Sequence, residues 1–249
     1  MYIIQISDLH ISLALTESED RANVCQEFEK LIPCIQKESP DLLIVSGDLA
    51  AKVPELNSYR YLKQTLSNLG IPWVALKGNH DRGTMFDAVF ADNFSTGFQC
   101  WKEWSYASIL FFDTSAESLP QIDLQALKDF LSQSSHPVYL FTHYPPIAVG
   151  YRFFDEECVL PWRDSFYQIL SESVSPLHIF FGHIHYEFEF HWKHTHFYSV
   201  PSATLPIIPN VSHHTLDKKG PYFRKIMIGQ DTFDTSVWST ASFQGFYTF

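Results

Sequence analysis

Five short apolar runs in this chain each end in residues of the kind that bind metal ions. Tyr2-Ile3-Ile4-Gln5-Ile6 leads to Asp8 and His10, and Leu42-Leu43-Ile44-Val45 leads to Gly47-Asp48. Trp73-Val74-Ala75-Leu76 leads to Gly78-Asn79-His80-Asp81, Val138-Tyr139-Leu140-Phe141 to His143, and Ile179-Phe180-Phe181 to Gly182-His183-Ile184-His185. A lone Asp at a strand end is ordinarily a turn former or a helix cap, and a lone His is ordinarily structural. Repetition overturns that reading. Ligand types delivered five times to the carboxyl ends of buried strands imply one site along one edge of a sheet. The donors are Asp, His and Asn without Cys, and there are enough of them for two metal ions.

The elements that must position these residues alternate through the first two-thirds of the chain. After a polar loop over Ser12–Glu19, the residues Val24, Phe28, Leu31, Ile32 and Ile35 share one face of a helix. Thr16 and Glu19 suit a capping box at its start, and Pro33 is expected to kink or split it. Further helices are expected over Ser58–Asn68, with Gly70 beyond the end, over Met85–Ala91, over Leu124–Leu131 behind Asp123, and over Arg163–Ser173. Ile109–Phe112 reads as a strand. Past His185 the pattern turns to strands at Glu187–His191, His196–Val200, Lys225–Ile228 and Phe233–Trp238, with hairpin turns at Trp192–Thr195 and Gly229–Asp231. The expectation is an α/β protein of one domain, 1–249, with a mixed double sheet flanked by helices.

Composition narrows the function. The 249 residues are 45% hydrophobic and 16% aromatic, enough for a large core. The start of the chain does not read as a signal peptide, and no apolar stretch approaches the roughly 18 residues of a membrane-spanning helix. Cys25, Cys34, Cys100 and Cys158 have no paired spacing, which fits a reducing, cytoplasmic setting. The formal charge of −11 and the absence of a Lys/Arg stripe argue against a long nucleic-acid partner. They do not argue against a small phosphoester, because two bound divalent cations would outweigh the carboxylates of Asp8 and Asp48.

Taken in order, Asp8-Leu9-His10, Gly47-Asp48, Gly78-Asn79-His80-Asp81, His143 and Gly182-His183-Ile184-His185 resemble the calcineurin-like metallophosphoesterases. The resemblance implies a four-layer αββα sandwich with a dinuclear site at the sheet edge. It implies one metal held by Asp8, His10, Asp48 and His185, and a second held by Asp48, Asn79, His143 and His183. Asp48 would bridge ions about 3.5–4 Å apart, close enough to activate one water. Nitrogen and oxygen ligands suit Mn or Fe, with Zn a further option. His80 is the expected proton donor or charge stabiliser for the leaving alkoxide, oriented by Asp81. Asn79, His80 and Arg82 would meet the substrate. Gly47, Gly78 and Gly182 permit the tight turns.

The overall span also resembles the bacterial class III cyclic-nucleotide phosphodiesterases. It does so at Ser39-Pro40-Asp41-Leu42, at Pro201-Ser202, and at Leu216-Asp217 followed by Gly220-Pro221-Tyr222-Phe223-Arg224. That resemblance implies hydrolysis of 3′,5′-cyclic AMP to 5′-AMP, with residues 201–240 shaping the substrate side. Two features depart from it. Pro161 stands where such enzymes carry an Asn near the nucleotide, and Phe153, Phe154 and Trp162 either stack a base or fill the core. The alternatives are a broader phosphomonoesterase or phosphodiesterase and, at a distance, a non-catalytic adaptor on the same fold. A lipid-A-pathway hydrolase would have Arg in place of His80, and a repair nuclease would need a basic groove. The remaining histidines read as structural, including the HxxHxH of His191, His194 and His196. Phe153–Trp162 and the tail residues Phe243, Phe246 and Phe249 suit either a homodimer contact or their own core.

Overall fold

Runs buried on both faces become the parallel strands, and they form two sheets. The computed structural model describes residues 1–13, 24–51, 55–81, 83–92, 97–209 and 215–241. The strands, in chain order, are β1 (Tyr2–Ile6), β2 (Leu42–Ser46), β3 (Trp73–Leu76), β4 (Phe98–Trp104), β5 (Ala107–Phe112), β6 (Val138–Phe141), β7 (Leu177–Phe181), β8 (Glu189–Trp192), β9 (Thr195–Ser199), β10 (Ile207–Ile208), β11 (Thr215–Leu216), β12 (Tyr222–Ile228) and β13 (Phe233–Ser239). One sheet runs β13-β12-β1-β2-β3, and the other runs β4-β5-β6-β7-β9-β8. In the first sheet the parallel strands β1-β2-β3 carry β12 and β13, paired antiparallel, on one side, and in the second the parallel strands β5-β6-β7-β9 are flanked by antiparallel β4 and β8.

Strand periodicity sorts the side chains into layers. Ile4, Ile6, Leu43 and Val45 face helices α1 (Val24–Glu38), α2 (Leu56–Ser67) and α3 (Gly83–Phe90), meeting Phe28, Leu31, Leu62 and Phe86. On the far side Leu110, Leu140 and Ile179 meet α4 (Gln121–Gln133) and α5 (Arg163–Ser171) through Leu124, Leu127 and Phe166. Between the sheets lie Ile3, Ile44, Phe111, Phe141, Phe180 and Ile226. Arg224 is fully buried there and ties β12 to the second sheet, its Nε donating to the Ser199 carbonyl at 2.9 Å and its Nη1 to Glu189 at 3.0 Å. The layers are helix, sheet, sheet, helix.

Helix α1 is a correction to the sequence reading, since it continues through Pro33 rather than splitting there. An interior proline costs ~3 kcal/mol. Pro33 lies on the exposed side, while Val24, Phe28 and Leu31 before it and Cys34 and Ile35 after it are all buried. Burying anchors on both sides of the proline outweighs the missing hydrogen bond. Strand β4 was not expected, because its exposed edge position leaves no apolar alternation to read. A single π-helical turn at Phe153–Glu157 and the short hairpin pairing Ile207 with Leu216 were likewise unforeseen. Thr16, Glu19, Arg82, His213, His214, Phe243, Phe246 and Phe249 lie outside the described residues.

Candidate dinuclear metal centre

The turns after the strands bend back sharply. Of the seven non-glycine residues with positive φ among the described residues, five are Asp8, His10, Asp48, His183 and His185. A left-handed backbone of this kind costs ~1–3 kcal/mol per residue and persists only where its surroundings over-determine it. Here the surroundings are hydrogen bonds between the turns. Asp8 N–H donates to the Gly47 carbonyl and His10 N–H to the Asp48 carbonyl, each at 3.0 Å. His183 N–H donates to the Asp8 carboxylate at 2.9 Å. The Ser202 hydroxyl reaches the Asp8 carbonyl at 2.7 Å, and the Thr204 hydroxyl reaches the Leu9 carbonyl at 2.9 Å. Gly78 is required by close approach, because a Cβ there would collide with Asp48 Oδ1 and its backbone nitrogen.

These constraints gather seven side chains into two groups around Asp48. In the first, His10 Nε2 and His185 Nε2 are 3.0 Å apart, with Asp8 Oδ1 3.4 Å from His185 Nε2 and Asp48 Oδ2 3.8 Å from His10 Nε2. In the second, Asn79 Oδ1 lies 3.1 Å from His143 Nε2 and 3.0 Å from His183 Nδ1, and Asp48 Oδ1 is 3.6 Å from His143 Nε2. The two oxygens of Asp48 therefore face different groups. Donor atoms ringing a cation at ~2.0–2.2 Å stand about 3–3.6 Å from one another, and all of these distances but the 3.8 Å between Asp48 and His10 lie in that range.

Outer hydrogen bonds fix which ring nitrogens carry lone pairs. His143 donates from Nδ1 to the Ser46 carbonyl at 2.9 Å, His185 from Nδ1 to the Leu205 carbonyl at 2.9 Å, and His183 from Nε2 to the Cys158 carbonyl at 2.8 Å. Their other nitrogens point inward, against the acceptor oxygens of Asn79, Asp8 and Asp48. Inward-facing donor atoms of this kind fit a cation, which would replace the proton that Asp8 draws onto His185. Burial pushes the His183 imidazole down to about 3, with repulsion from His143 adding to the effect, and burial also lowers His10 and His143. Burial opposes ionisation of both Asp8 and Asp48. Attraction to His185 overcomes it at Asp8, whereas Asp48, repelled by Asp8, is held well above the usual carboxylate range. A divalent cation offsets that repulsion.

The remaining candidates occupy distinct places. His80 sits at the cavity rim, its Nε2 3.9 Å from Asp48 Oδ2 and its N–H donating to Asp48 Oδ1 at 2.8 Å. Asp81 does not orient that imidazole, as the sequence reading supposed. Its buried carboxylate accepts from Gly78 N–H at 2.9 Å, from Leu49 and Ala50 N–H at 3.2 Å, and from the Tyr59 hydroxyl at 3.0 Å. Those four donors fill its acceptor sites, so Asp81 clasps the Asp48 turn to the Asn79 turn. The HxxHxH motif does not converge. His191 and His196 are stacked with rings 4.3 Å apart, and His191 and His194 donate to the carbonyls of Lys193 and Ser173.

Above the cluster lies a cavity of about 370 Å³. His10, Asp48, Asn79, His80, His183 and His185 line its polar side, and Val24, Ala51, Phe153, Phe154, Leu205, Ile207 and Leu216 its apolar side. Trp162 belongs to the core, its indole donating to the Ala116 carbonyl, and Pro161 is exposed and outside the cavity lining. Sequence reasoning missed Ser202, Thr204 and Tyr59. Their only trace was the Pro201-Ser202 block, since a hydroxyl that braces a distant carbonyl has no spacing rule.

A sequence model of the calcineurin-like phosphoesterase family matches residues 1–187. A probable cyclic nucleotide phosphodiesterase of Fibrobacter succinogenes is 27% identical over 242 residues, covering 94% of this chain and 92% of that protein. A 3′,5′-cyclic-nucleotide phosphodiesterase of Nostoc is 22% identical, covering 96% and 90%. Among solved structures, a dimetal phosphatase from Danio rerio superposes with a TM-score of 0.65 at 10% identity, covering 96% of each chain, which shows the shared fold. No helix among the described residues is long and apolar enough to cross a membrane. With the family model spanning three-quarters of the chain and the Asp/His clusters suited to a dinuclear metal site, the protein belongs to the calcineurin-like phosphoesterases and is a metal-dependent hydrolase of phosphoric esters.

Proposed function

We propose that this protein is a dinuclear-metal phosphodiesterase acting on a small phosphodiester, with 3′,5′-cyclic AMP and its conversion to 5′-AMP as the leading assignment. The observation that carries the reading is the gathering of Asp8, His10, Asp48, Asn79, His143, His183 and His185 beneath a cavity with an apolar side. In this assignment Asp8, His10, Asp48 and His185 hold one metal, and Asp48, Asn79, His143 and His183 hold the other. Mn or Fe is preferred, with Zn also matching the nitrogen and oxygen donors. Bound there, two such ions supply Lewis acidity and lower the pKa of water towards neutrality.

The chain's own residues do the rest. Asn79 and His80 meet the phosphoryl oxygens at the rim, with Arg82 assigned beside them. His80 carries the proton that the leaving alkoxide takes up. Asp81, through the backbone of residues 49, 50 and 78, keeps the two turns in register. Size favours a small ester, because about 370 Å³ lies near the lower end of ligand pockets, roughly 300–1,000 Å³. The names of the Fibrobacter and Nostoc relatives support a cyclic nucleotide. A small-molecule partner and a cytoplasmic location belong to the same proposal, the latter supported by the free cysteines.

Purified protein with Mn²⁺ tests the assignment against cyclic AMP, cyclic GMP, bis(p-nitrophenyl) phosphate and p-nitrophenyl phosphate. Turnover of the cyclic nucleotides is the expected result. Hydrolysis of the aryl monoester alone rejects it.

A further inference from the structure

The cavity's apolar side is carried by an uncommon piece of backbone. Phe153 and Phe154 belong to the π-helical turn Phe153–Glu157, closed by Cys158 N–H donating to the Phe153 carbonyl at 2.9 Å. Single π-helical turns recur at functional sites. The two rings differ in surroundings. Phe154 is buried, packed edge-on to Phe153 at 5.1 Å and to His183 at 5.4 Å. Phe153 is only half-buried and lines the cavity.

Asp155 holds this turn from behind. Its carboxylate accepts Val149 N–H at 2.8 Å and Gly150 N–H at 2.9 Å, and lies 3.6 Å from the Arg163 guanidinium at the start of α5. The same segment reaches the polar side of the cavity, where the Cys158 carbonyl accepts the His183 ring proton. One short loop therefore joins an aromatic wall to the polar cluster.

Resting on the phosphodiester reading above, we propose that Phe153 reads the substrate's heteroaromatic ring by stacking, and that Asp155 is the positioning residue for the turn that carries it. The rest of the wall supports stacking over hydrogen-bonded readout. Among the described lining residues away from the metal cluster, Val24, Ala51, Leu205, Ile207 and Leu216 offer no polar side-chain atom, the Ser12 hydroxyl and the Cys158 thiol being the polar exceptions, and the carbonyls of Cys158 and Leu205 already accept from His183 and His185. Stacking is tolerant of base identity because every base has a π-face. The site therefore discriminates strongly between ligands with and without a base, and weakly between adenine and guanine.

Direct binding tests this without any turnover. Dissociation constants of AMP, GMP and ribose 5-phosphate are measured by titration calorimetry on the full chain loaded with Mn²⁺. Stacking is worth ~1–3 kcal/mol, so AMP should bind about 5- to 150-fold more tightly than ribose 5-phosphate, and GMP within about tenfold of AMP. In Phe153→Ala the AMP advantage should fall to within about twofold with the ribose 5-phosphate constant unchanged, and Phe153→Trp should retain the advantage. Asp155→Asn should lower the AMP advantage while leaving ribose 5-phosphate unaffected. Equal binding of AMP and ribose 5-phosphate by the wild type, or an AMP advantage that survives Phe153→Ala, overturns the assignment. An Asp155→Asn variant that weakens both ligands alike overturns the positioning role. A wild type that hydrolyses no cyclic nucleotide yet shows the binding ratio removes the proposed reaction and leaves this inference standing.

Discussion

His10 and His185 aim their Nε2 atoms at each other across 3.0 Å. Because His185 donates from Nδ1 to the Leu205 carbonyl, its inner nitrogen is the atom offered to an ion between the two rings. A divalent ion converts that opposition into ligation and binds only the folded chain. Protein stripped by a chelator should therefore melt lower than the same protein with Mn²⁺ restored. An ion at 100 times its Kd adds about 2.7 kcal/mol, roughly 5–10 °C for a chain of this size. Differential scanning calorimetry checks this, with His185→Ala expected to lose most of the gain. A melting temperature indifferent to chelation would refute the cation reading of both groups.

The opposed orientation of the two Asp48 oxygens gives a second expectation. Asp48→Ala should lose both ions, because Oδ2 faces His10 while Oδ1 faces His143. His80→Ala should keep both, since the ring stands at the rim, and should lose about 10²–10⁴ in turnover. Elemental analysis beside rate measurement separates the two cases. Two ions and a full rate in Asp48→Ala would end the bridging assignment.

Asp81 supplies a test in which stability is the readout. An Asn there keeps one acceptor oxygen and turns an N–H₂ towards backbone N–H groups of Gly78, Leu49 or Ala50. Leaving a buried donor unsatisfied costs about 1–3 kcal/mol, so Asp81→Asn should lower the urea midpoint by at least that equivalent. Tyr59→Phe removes a single donor and should cost about 1 kcal/mol. Equal stability of Asp81→Asn and wild type would show that the clasp contributes nothing.

The contrast between Asp81 and the seven clustered residues marks what a sequence can display. Asp8, Asp48, His143 and His185 follow apolar runs, so strand periodicity alone sets them at the carboxyl ends of strands; it does not show that those strands divide between two sheets instead of sharing one edge. The role of Asp81 depends on which donors reach it, and Leu49, Ala50 and Tyr59 lie 22 to 32 residues away. Ser202 and Thr204 brace the backbone near Asp8 from nearly 200 residues further on. Pro33 misled for another reason: the local rule is correct, but burial on both sides of it decides the outcome. Strand β4 was invisible because an exposed edge has no alternation to show.

Far from the metal cluster, His178 offers a pH prediction with a defined sign. Its ring is stacked between Tyr139 at 4.9 Å and His196 at 5.1 Å and touches Phe233 at 4.1 Å, and its buried Nδ1 has no hydrogen-bond partner. Burial pushes this imidazole down to about 4, with repulsion from His196 adding to the effect. The unfolded chain binds the proton near pH 6.5 and the folded chain only near 4. Between those values the unfolded state holds more protons, so stability rises with pH. The contribution is complete above about 6.5 and fades as pH falls towards 4, by up to about 3 kcal/mol for a shift of this size. His178→Phe keeps the stack and removes the titration. Urea unfolding from pH 7 down to 4 should show the wild type losing more stability than this variant by roughly that amount. Parallel pH profiles would mean that His178 titrates like an exposed histidine.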